Sequence, residues 1–327
     1  MSVCGVLTWL GHKETFVENG RRSDGWDLEH HGFCLLEDMP MPLDEQKLKA
    51  PCCGGFRCSR PVLFGFKDNQ AVLLTTEARE ESFGLGTWLG YYQHMAQAAK
   101  KAFPEAEYVA LPGHSIFSAE LSPLRQVACA LRRCFLGASK LLGGEAMPAM
   151  GAVPDFIHAD HSVEEGTQLV SAALSELSRI KTSKKRRVVA MNMWRNARSS
   201  PIKNHHLAVV NAQTVSDEEL RAAKFKNYAM GGLQQYHMTH LEPQHRLVYF
   251  PHMQDKEILA FKQGSYEVSP ALDHTQVPCT ECMVTPQAEV HASHVLHTSF
   301  LDPTAPSDAV PRKAIACEGI LVFMHEA

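Results

Sequence analysis

The segment Phe156-Ile157-His158-Ala159-Asp160 separates two parts of the chain that differ in their hydrophobic pattern. In the part before it, residues 82–103 and 121–142 carry apolar residues at the spacing of one helix face, which predicts two helices. Directly after it, residues 163–180 are predicted to form a third helix with Ser162 as its N-cap. The hydrophobic pattern of the chain changes shortly after this segment, at the end of the third helix.

Most of the chain beyond this third helix has the pattern of β-strands. Short runs of strand-favouring residues are separated by loops that contain Pro and Gly. The predicted strands cover residues 188–194, 207–210, 247–250, 258–262, 290–300 and 315–323, and a helix over 216–228 is expected to interrupt them. Helices early and strands late favour an all-β barrel with helical decoration over a doubly wound sheet. No GxGxxG or Walker motif follows a strand, so nucleotide-binding folds have little support.

The composition is that of an ordinary globular protein. The 327 residues are 45% hydrophobic, which is ample for a packed core, and 21% are charged, with a formal net charge of −4. We predict a single domain over residues 1–327. In it, residues 1–145 contribute mixed strands and supporting helices, and residues 150–327 contribute most of the barrel core.

Charge and hydropathy argue against two classes of partner. A nucleic-acid-binding protein would show a basic face, whereas the clearest basic run, residues 184–187, is predicted to be a solvated loop that enters a strand. No run approaches the ~18 apolar residues of a membrane span, and the first residues lack the basic start of a signal peptide. We therefore expect a cytoplasmic protein that binds neither nucleic acid nor membrane.

Ten cysteines are many for such a protein. Without an export signal, most are expected to be reduced thiols rather than disulfides. Cys52, Cys53 and Cys58, together with Cys279 and Cys282, suggest a structural zinc site. Only one true Cys-x-x-Cys pair is present, however, and a strong zinc signal would need two. Reduced thiols are therefore the preferred interpretation.

His158 and Asp160 are the clearest candidates for metal ligands. A chain with 18 histidines contains His-x-Asp pairs by chance, but this pair ends an apolar segment, so both side chains would project to the same face of a strand. Two histidines and one carboxylate on one face of an iron ion leave three positions open, whereas tetrahedral structural zinc sites leave none. The alternative interpretation is a strand end that carries incidental polar residues.

A third ligand must come from a distant part of the chain. Histidines occur at 205–206, within 237–245 and within 291–297. In a barrel oxygenase a late strand supplies the distal histidine, and an arginine on the next strand binds the far carboxylate of 2-oxoglutarate. His297 and Arg312 occupy these places, and a guanidinium suits bidentate recognition of a carboxylate. On a regular strand His291 faces the same way as His297, and His294 the opposite way, so both remain competitors.

The chain resembles the asaB-type hydroxylase/desaturase family of non-haem Fe(II), 2-oxoglutarate-dependent oxygenases, which includes gibberellin-desaturase-like and CmcJ-like proteins. The similar segments follow the family's order from about residue 15 to residue 323. They are Asp27-Leu-Glu-His-His-Gly-Phe33, Ile157-His-Ala-Asp-His-Ser162, Asn192-Met-Trp-Arg195, Tyr249-Phe-Pro-His-Met253, and His297-Thr-Ser-Phe-Leu-Asp-Pro303 with Arg312.

The resemblance implies a jelly-roll fold, that is, a cupin-like double-stranded β-helix. It implies Fe(II) held by His158, Asp160 and His297, with 2-oxoglutarate and O₂ as co-substrates and Arg312 as the co-substrate anchor. The implied reaction hydroxylates or desaturates a small organic substrate, typically a natural product, through an iron-based oxidant, and releases succinate and CO₂. A homodimer is the expected assembly.

The strand that contains Asn192 and Arg195 supplies two further candidates for co-substrate binding. Strand alternation puts Asn192 and Trp194 on one face and Arg195 on the other, so all three line one pocket only if the strand bends. The alternative is a barrel wall in which Trp194 packs and Arg195 meets a surface acid. His161 and Tyr249 are weaker candidates for the pocket.

The chain departs from the family pattern at Glu318, near the place where the family carries a second arginine. If that arginine were the anchor, this protein would lack it. Two other functions therefore remain as alternatives. One is a zinc-dependent hydrolase or lyase on the same barrel, and the other is a non-catalytic partner subunit of an oxygenase.

Overall fold

The computed structural model describes residues 6–8, 14–23, 25–43, 56–74, 85–118, 157–177, 186–225, 233–238, 241–269, 283–286 and 294–325. The strands of this part of the chain are β1 (Val6–Thr8), β2 (Glu14–Asn19), β3 (Phe33–Leu36), β4 (Phe56–Lys67), β5 (Gln70–Leu73), β6 (Ala106–Ser118), β7 (His158–Ala159), β8 (Arg186–Asn196), β9 (His206–Val210), β10 (Arg221–Phe225), β11 (Leu233–His237), β12 (Leu247–Tyr249), β13 (Ile258–Ser269), β14 (Met283–Pro286), β15 (His297–Phe300) and β16 (Lys313–His325). The α-helices are α1 (Leu85–Ala102) and α2 (Val163–Leu177).

The strands form two sheets. The first sheet has the order β1-β2-β12-β9-β15-β7-β11-β10, and the second has the order β14-β13-β8-β16-β6-β4-β5, with β3 also paired to β13. Every pairing is antiparallel except that of β2 with β12. This arrangement confirms the predicted mainly β, jelly-roll fold with helical decoration.

Strand β8 lies in the interior of the second sheet, between β13 and β16, and is buried on both faces. On one face, Met191 and Met193 pack in a cluster with residues of α1. On the other face, Val188 and Ala190 pack with α2, and Trp194 packs with residues of the first sheet. Each fully buried aliphatic side chain stabilises such a core by about 1.5–3 kcal/mol. The first sheet and α2 thus share one face of the second sheet, and α1 covers the other.

The helices α1 and α2 form where the apolar spacing predicts them. Helix α1 ends at Ala102, two residues before Pro104, which cannot continue a helix. Helix α2 begins after Ser162, whose hydroxyl accepts a hydrogen bond from the backbone N–H of Glu165 at 3.3 Å, so the predicted N-cap is confirmed. The helix expected over 121–142 lies outside the described residues.

The helix expected over 216–228 is wrong. The chain forms short 3₁₀ turns at Ala212–Thr214 and Asp217–Glu219 and then enters β10, which pairs with β11 along its whole length. Pairing at the edge of the first sheet outweighs the local helical pattern. The strand expected over 290–300 is also shorter than predicted, because β15 begins at His297 and His294 makes only an isolated bridge with Gln263.

Two other expectations concern membrane-spanning helices and the cysteines. Neither α1 nor α2, the α-helices of the described ranges, is long and apolar enough to cross a membrane. Among the described residues, Cys34 and Cys317 are thiols that form no disulfide. The cysteines of the zinc hypothesis lie outside the part of the chain whose side chains the structure describes, and the single domain over 1–327 stays a prediction.

Candidate metal centre

His158, Asp160 and His297 meet on the face of the first sheet that is turned towards the second. His158 and His297 are paired directly across β7 and β15, and Asp160 follows β7. One ligand atom from each residue lies within 4.8 Å of the other two. His158 Nε2 is 3.4 Å from Asp160 Oδ1, and His297 Nε2 is 3.5 Å from Asp160 Oδ2. The structure therefore brings together the three residues predicted as ligands.

His294, one of the two competitors of His297, is not part of this cluster. The ring of His294 lies edge-on to Tyr236, with ring centroids 5.0 Å apart. His291 lies outside the described residues. The ring of His297, in contrast, is 4.3 Å from that of His158, because the register of β7 and β15 places the two side chains next to each other.

The electrostatics favour the protonation states that bind a metal. Burial would raise the pKa of Asp160, but His297 and His158 lower it below its ordinary value. Burial, reinforced by His158, lowers the pKa of His297 to about 4 despite the opposing effect of Asp160. Near pH 7 the carboxylate is therefore ionised and the imidazole of His297 neutral, which are the forms that coordinate a metal ion.

Three carboxamides surround Asp160. Asn192 Nδ2 donates a short hydrogen bond to Asp160 Oδ2, and Gln235 Nε2 lies 3.5 Å from Oδ1. The backbone N–H of Asp160 donates to Gln263 Oε1 at 2.7 Å. Sequence reasoning did not identify Gln235 or Gln263, because carboxamides are common and only the register of β11 and β13 brings these two to the site. Asn192 was expected to contact the co-substrate, but its amide is directed at Asp160 instead.

Arg312 lies at the end of the same interior space. Only 2% of it is exposed, and its guanidinium donates to the carbonyl of His205 at 2.6 Å and to Ser299 Oγ at 3.4 Å. It also lies over the ring of Trp194, at 5.2 Å from the centroid. No carboxylate pairs with it among the residues that the structure describes, and burial lowers its pKa to about 9. Ser299 is two residues from His297 on the same face of β15, about 7 Å along the strand.

Arg195 lies on the opposite face of the second sheet and does not reach this site. Its guanidinium donates to the backbone carbonyls of Met39, at 2.6 Å, and Asp255, and it lies 3.1 Å from His94 Nε2. Strand alternation is the reason: β8 stays regular here, so Asn192 and Trp194 face the first sheet and Arg195 faces α1. The expectation that Arg195 binds the co-substrate is therefore wrong. So is the alternative of a surface ion pair, because Arg195 is fully buried.

Three further residues were singled out from the sequence: His161 and Tyr249 as pocket candidates, and Glu318 as a departure from the family pattern. His161 is buried directly after Asp160, with Nδ1 3.7 Å from Glu165 Oε1. Tyr249 packs in a cluster on the other face of the first sheet, against His206 and Phe300, so it cannot line this pocket. Glu318 accepts a hydrogen bond from Ser115 Oγ at 3.3 Å.

Comparisons with known proteins agree with this fold. Solved structures of the iron and alpha-ketoglutarate-dependent endoperoxidase NvfI superpose with a TM-score of 0.60, at 16% sequence identity, over 96% of this chain and 86% of that one. NvfI in a different conformation gives 0.58 at 17% identity, with the same coverage. None of the curated proteins is significantly similar in sequence. The family model described as "Oxidoreductase/YMDC permease-like domain" matches residues 89–323. Because this match covers well over half of the sequence, the chain belongs to the oxidoreductase/YMDC permease-like domain family.

Proposed function

We propose that this protein is a non-haem iron(II), 2-oxoglutarate-dependent oxygenase. The observation that carries the proposal is the cluster of His158, Asp160 and His297 on one face of a jelly roll. Two imidazoles and a carboxylate presented from one side are the donor set of non-haem iron oxygenases, and they leave the opposite side of the ion open. The similarity in fold to NvfI, whose name records iron and alpha-ketoglutarate, supports the same chemistry.

The surroundings of Arg312 fit the far carboxylate of 2-oxoglutarate. A buried guanidinium without an acidic partner in the described residues is costly unless an anion completes it. Ser299 adds a hydroxyl beside it on the strand that carries His297. The co-substrate would thus lie along β15, with its keto-acid end at the metal and its other carboxylate at Arg312 and Ser299. The arginine that the family carries near Glu318 is not needed for this role.

The chain's own residues orient and shield the reactants. The bound iron would supply the oxidation of a substrate C–H bond by O₂, while 2-oxoglutarate is converted to succinate and CO₂. His158, Asp160 and His297 hold the ion, and Arg312 fixes the co-substrate. Trp194 and Phe261 are buried beside these groups, Trp194 under the Arg312 guanidinium and Phe261 4.8 Å from the ring of His297, and they exclude water from this side of the site.

The finer parts of the proposal rest on resemblance. We propose a small organic substrate, typical of natural-product tailoring, which is hydroxylated or desaturated, and membership of the asaB-type hydroxylase/desaturase group. Insertion of one oxygen atom gives an alcohol, whereas loss of two hydrogens gives an alkene and water. A cytoplasmic location and a homodimer complete the proposal.

Anaerobic titration with Fe(II) and 2-oxoglutarate tests the proposal directly. We expect the visible charge-transfer band of the iron chelate with the wild-type protein and its loss in His158→Ala and Asp160→Ala. Oxygen should then produce succinate. A zinc-dependent hydrolase or lyase would give neither signal, and a non-catalytic partner subunit would bind iron without any succinate. Either result would overturn the assignment.

A further inference from the structure

Two β-bulges of the second sheet lie on either side of Asn192. In β13 the pairing with β8 shifts between Lys262 and Gly264, and in β16 it shifts between Cys317 and Ile320. The shift in β13 lies opposite Ala190 and Met191 of β8, and the shift in β16 lies opposite Met191 to Met193. A bulge turns a residue out of the regular alternation and can aim it at a functional site. In this sheet each bulge lies next to a side chain that contacts Asp160: Gln263 at the bulge in β13, and Asn192 at the bulge in β16.

The bulge in β16 orients the side chain of Asn192. Gly319 has a φ of +69°, a conformation that suits glycine, and its backbone N–H donates to Asn192 Oδ1 at 2.8 Å. Because the oxygen of the amide is held by this donor, the NH₂ group must point the other way, towards Asp160 Oδ2. The bulge therefore decides which end of Asn192 meets the carboxylate.

The bulge in β13 frees Gln263 to reach the first sheet. Its fully buried side chain accepts from the N–H of Asp160 at 2.7 Å and donates to the carbonyls of Lys262 and Val295, both at 2.9 Å. Val295 is two residues before His297. One side chain thus ties the segment of Asp160 to the segment that leads into His297, although these lie far apart in the sequence.

We propose that Asn192 and Gln263 are positioning residues that fix the metal-ligating carboxylate, each aimed by a β-bulge. This inference rests on the proposed metal site. Asn192 sets the rotation of the Asp160 carboxylate, and Gln263 sets the spacing between Asp160 and His297. Loss of such outer contacts lowers metal affinity about 10- to 100-fold while the ligands themselves remain.

Cobalt(II) binding to the metal-free protein tests this inference without the need for a substrate. The variants are Asn192→Leu and Gln263→Met, which are similar in size to the native residues but lack the amide. The control is Gln97→Met, because Gln97 also bonds backbone groups through both ends of its amide, far from the site: it accepts from the N–H of Ala71 at 3.1 Å and donates to the carbonyl of Asn69 at 2.8 Å. The measurements are the dissociation constant by calorimetry, the visible spectrum of bound Co(II), and the Tm of the metal-free protein.

We expect Asn192→Leu and Gln263→Met to bind Co(II) about 10- to 100-fold more weakly and with a changed spectrum. Gln97→Met should lower Tm and leave both properties of the cobalt site unchanged. Wild-type affinity and spectrum in the two site variants would overturn the positioning role. If the wild-type protein binds no Co(II), the proposed function itself fails. Asn192→Ser and Gln263→Ser, which leave room for water, replace any variant that does not fold, and the same outcomes apply to them.

Discussion

Arg312 is unusual among the buried residues because its positive charge faces no carboxylate in the described part of the chain. A hydrogen bond to a charged group contributes about 1.5–3 kcal/mol, which corresponds to a 10- to 100-fold change in binding. We expect Arg312→Ala to weaken 2-oxoglutarate binding by this factor and not to weaken binding of the metal alone. Titration of the iron chelate band with 2-oxoglutarate measures the first affinity, and calorimetric titration with Co(II) alone measures the second. Unchanged co-substrate affinity would move the anchor to another residue.

His294 and His297 provide a matched pair of substitutions within one segment. Both rings are largely buried, but only His297 Nε2 approaches Asp160. We expect His297→Ala to abolish the chelate band, because it removes one of three protein ligands, and His294→Ala to retain it. Spectroscopic titration of the two variants under the same conditions checks this. The reverse pattern would show that His294 is the ligand.

The crossing of α2 over β13 depends on a residue without a side chain. A Cβ at Gly166 would overlap with the hydroxyl of Tyr266, which packs against the helix at this point. The gain in helix propensity on replacing glycine is about 1 kcal/mol, and overpacking costs about 1–3 kcal/mol. Because the ring carbon Cζ of Tyr266 also lies only 2.6 Å from this Cβ position, we expect Gly166→Ala to lower the free energy of unfolding and Tyr266→Phe to restore part of it.

Gly90 is the control for this prediction. It lies in α1, is exposed, and has open space where a Cβ would stand. Only the propensity term acts there, so Gly90→Ala should raise the free energy of unfolding by up to about 1 kcal/mol. Denaturant unfolding of both variants measures the sign of the change in the free energy of unfolding for each. Destabilisation by Gly90→Ala, or stabilisation by Gly166→Ala, would contradict the packing described.

Elements whose local pattern agrees with their tertiary environment were predictable from the sequence. Helix α2 has both a capping serine and an apolar face, and β8 is a long apolar run because layers cover both of its faces. The segment 216–228 was not predictable, because β10 exists only through its pairing with β11. The bulges near Asn192 were not predictable either, because a shift of register does not change the spacing of hydrophobic residues in a recognisable way.

At the scale of the molecule, the candidate site joins segments that are far apart in the sequence. His158 begins β7, Asp160 lies between β7 and α2, and His297 begins β15. A metal that binds only the folded chain stabilises it by about 2.7 kcal/mol at a concentration 100 times its Kd. We expect Co(II) to raise Tm by several degrees in the wild-type protein and not in Asp160→Ala. Thermal unfolding with and without the metal decides this.

The ligands were easier to predict than their surroundings. A His-x-Asp pair at a strand end keeps its two residues together whatever the rest of the chain does, and resemblance then selects His297. The contacts of Gln235 and Gln263 depend on how two sheets face each other, which no local pattern encodes. Arg195 shows the converse: its place in a familiar motif suggested a role, but strand alternation turns it away from the site.

The positive charge of Arg312 also affects how strongly the metal and the co-substrate favour each other's binding. Without ligands, the anion of Asp160 would balance the cation of Arg312. Iron(II) alone would leave two positive charges in excess, and dianionic 2-oxoglutarate alone would leave two negative ones. Only the two ligands together keep the sum of these charges at zero, and an uncompensated charge is costly among buried groups. Metal and co-substrate should therefore bind cooperatively, and each should raise the affinity of the other by the same factor.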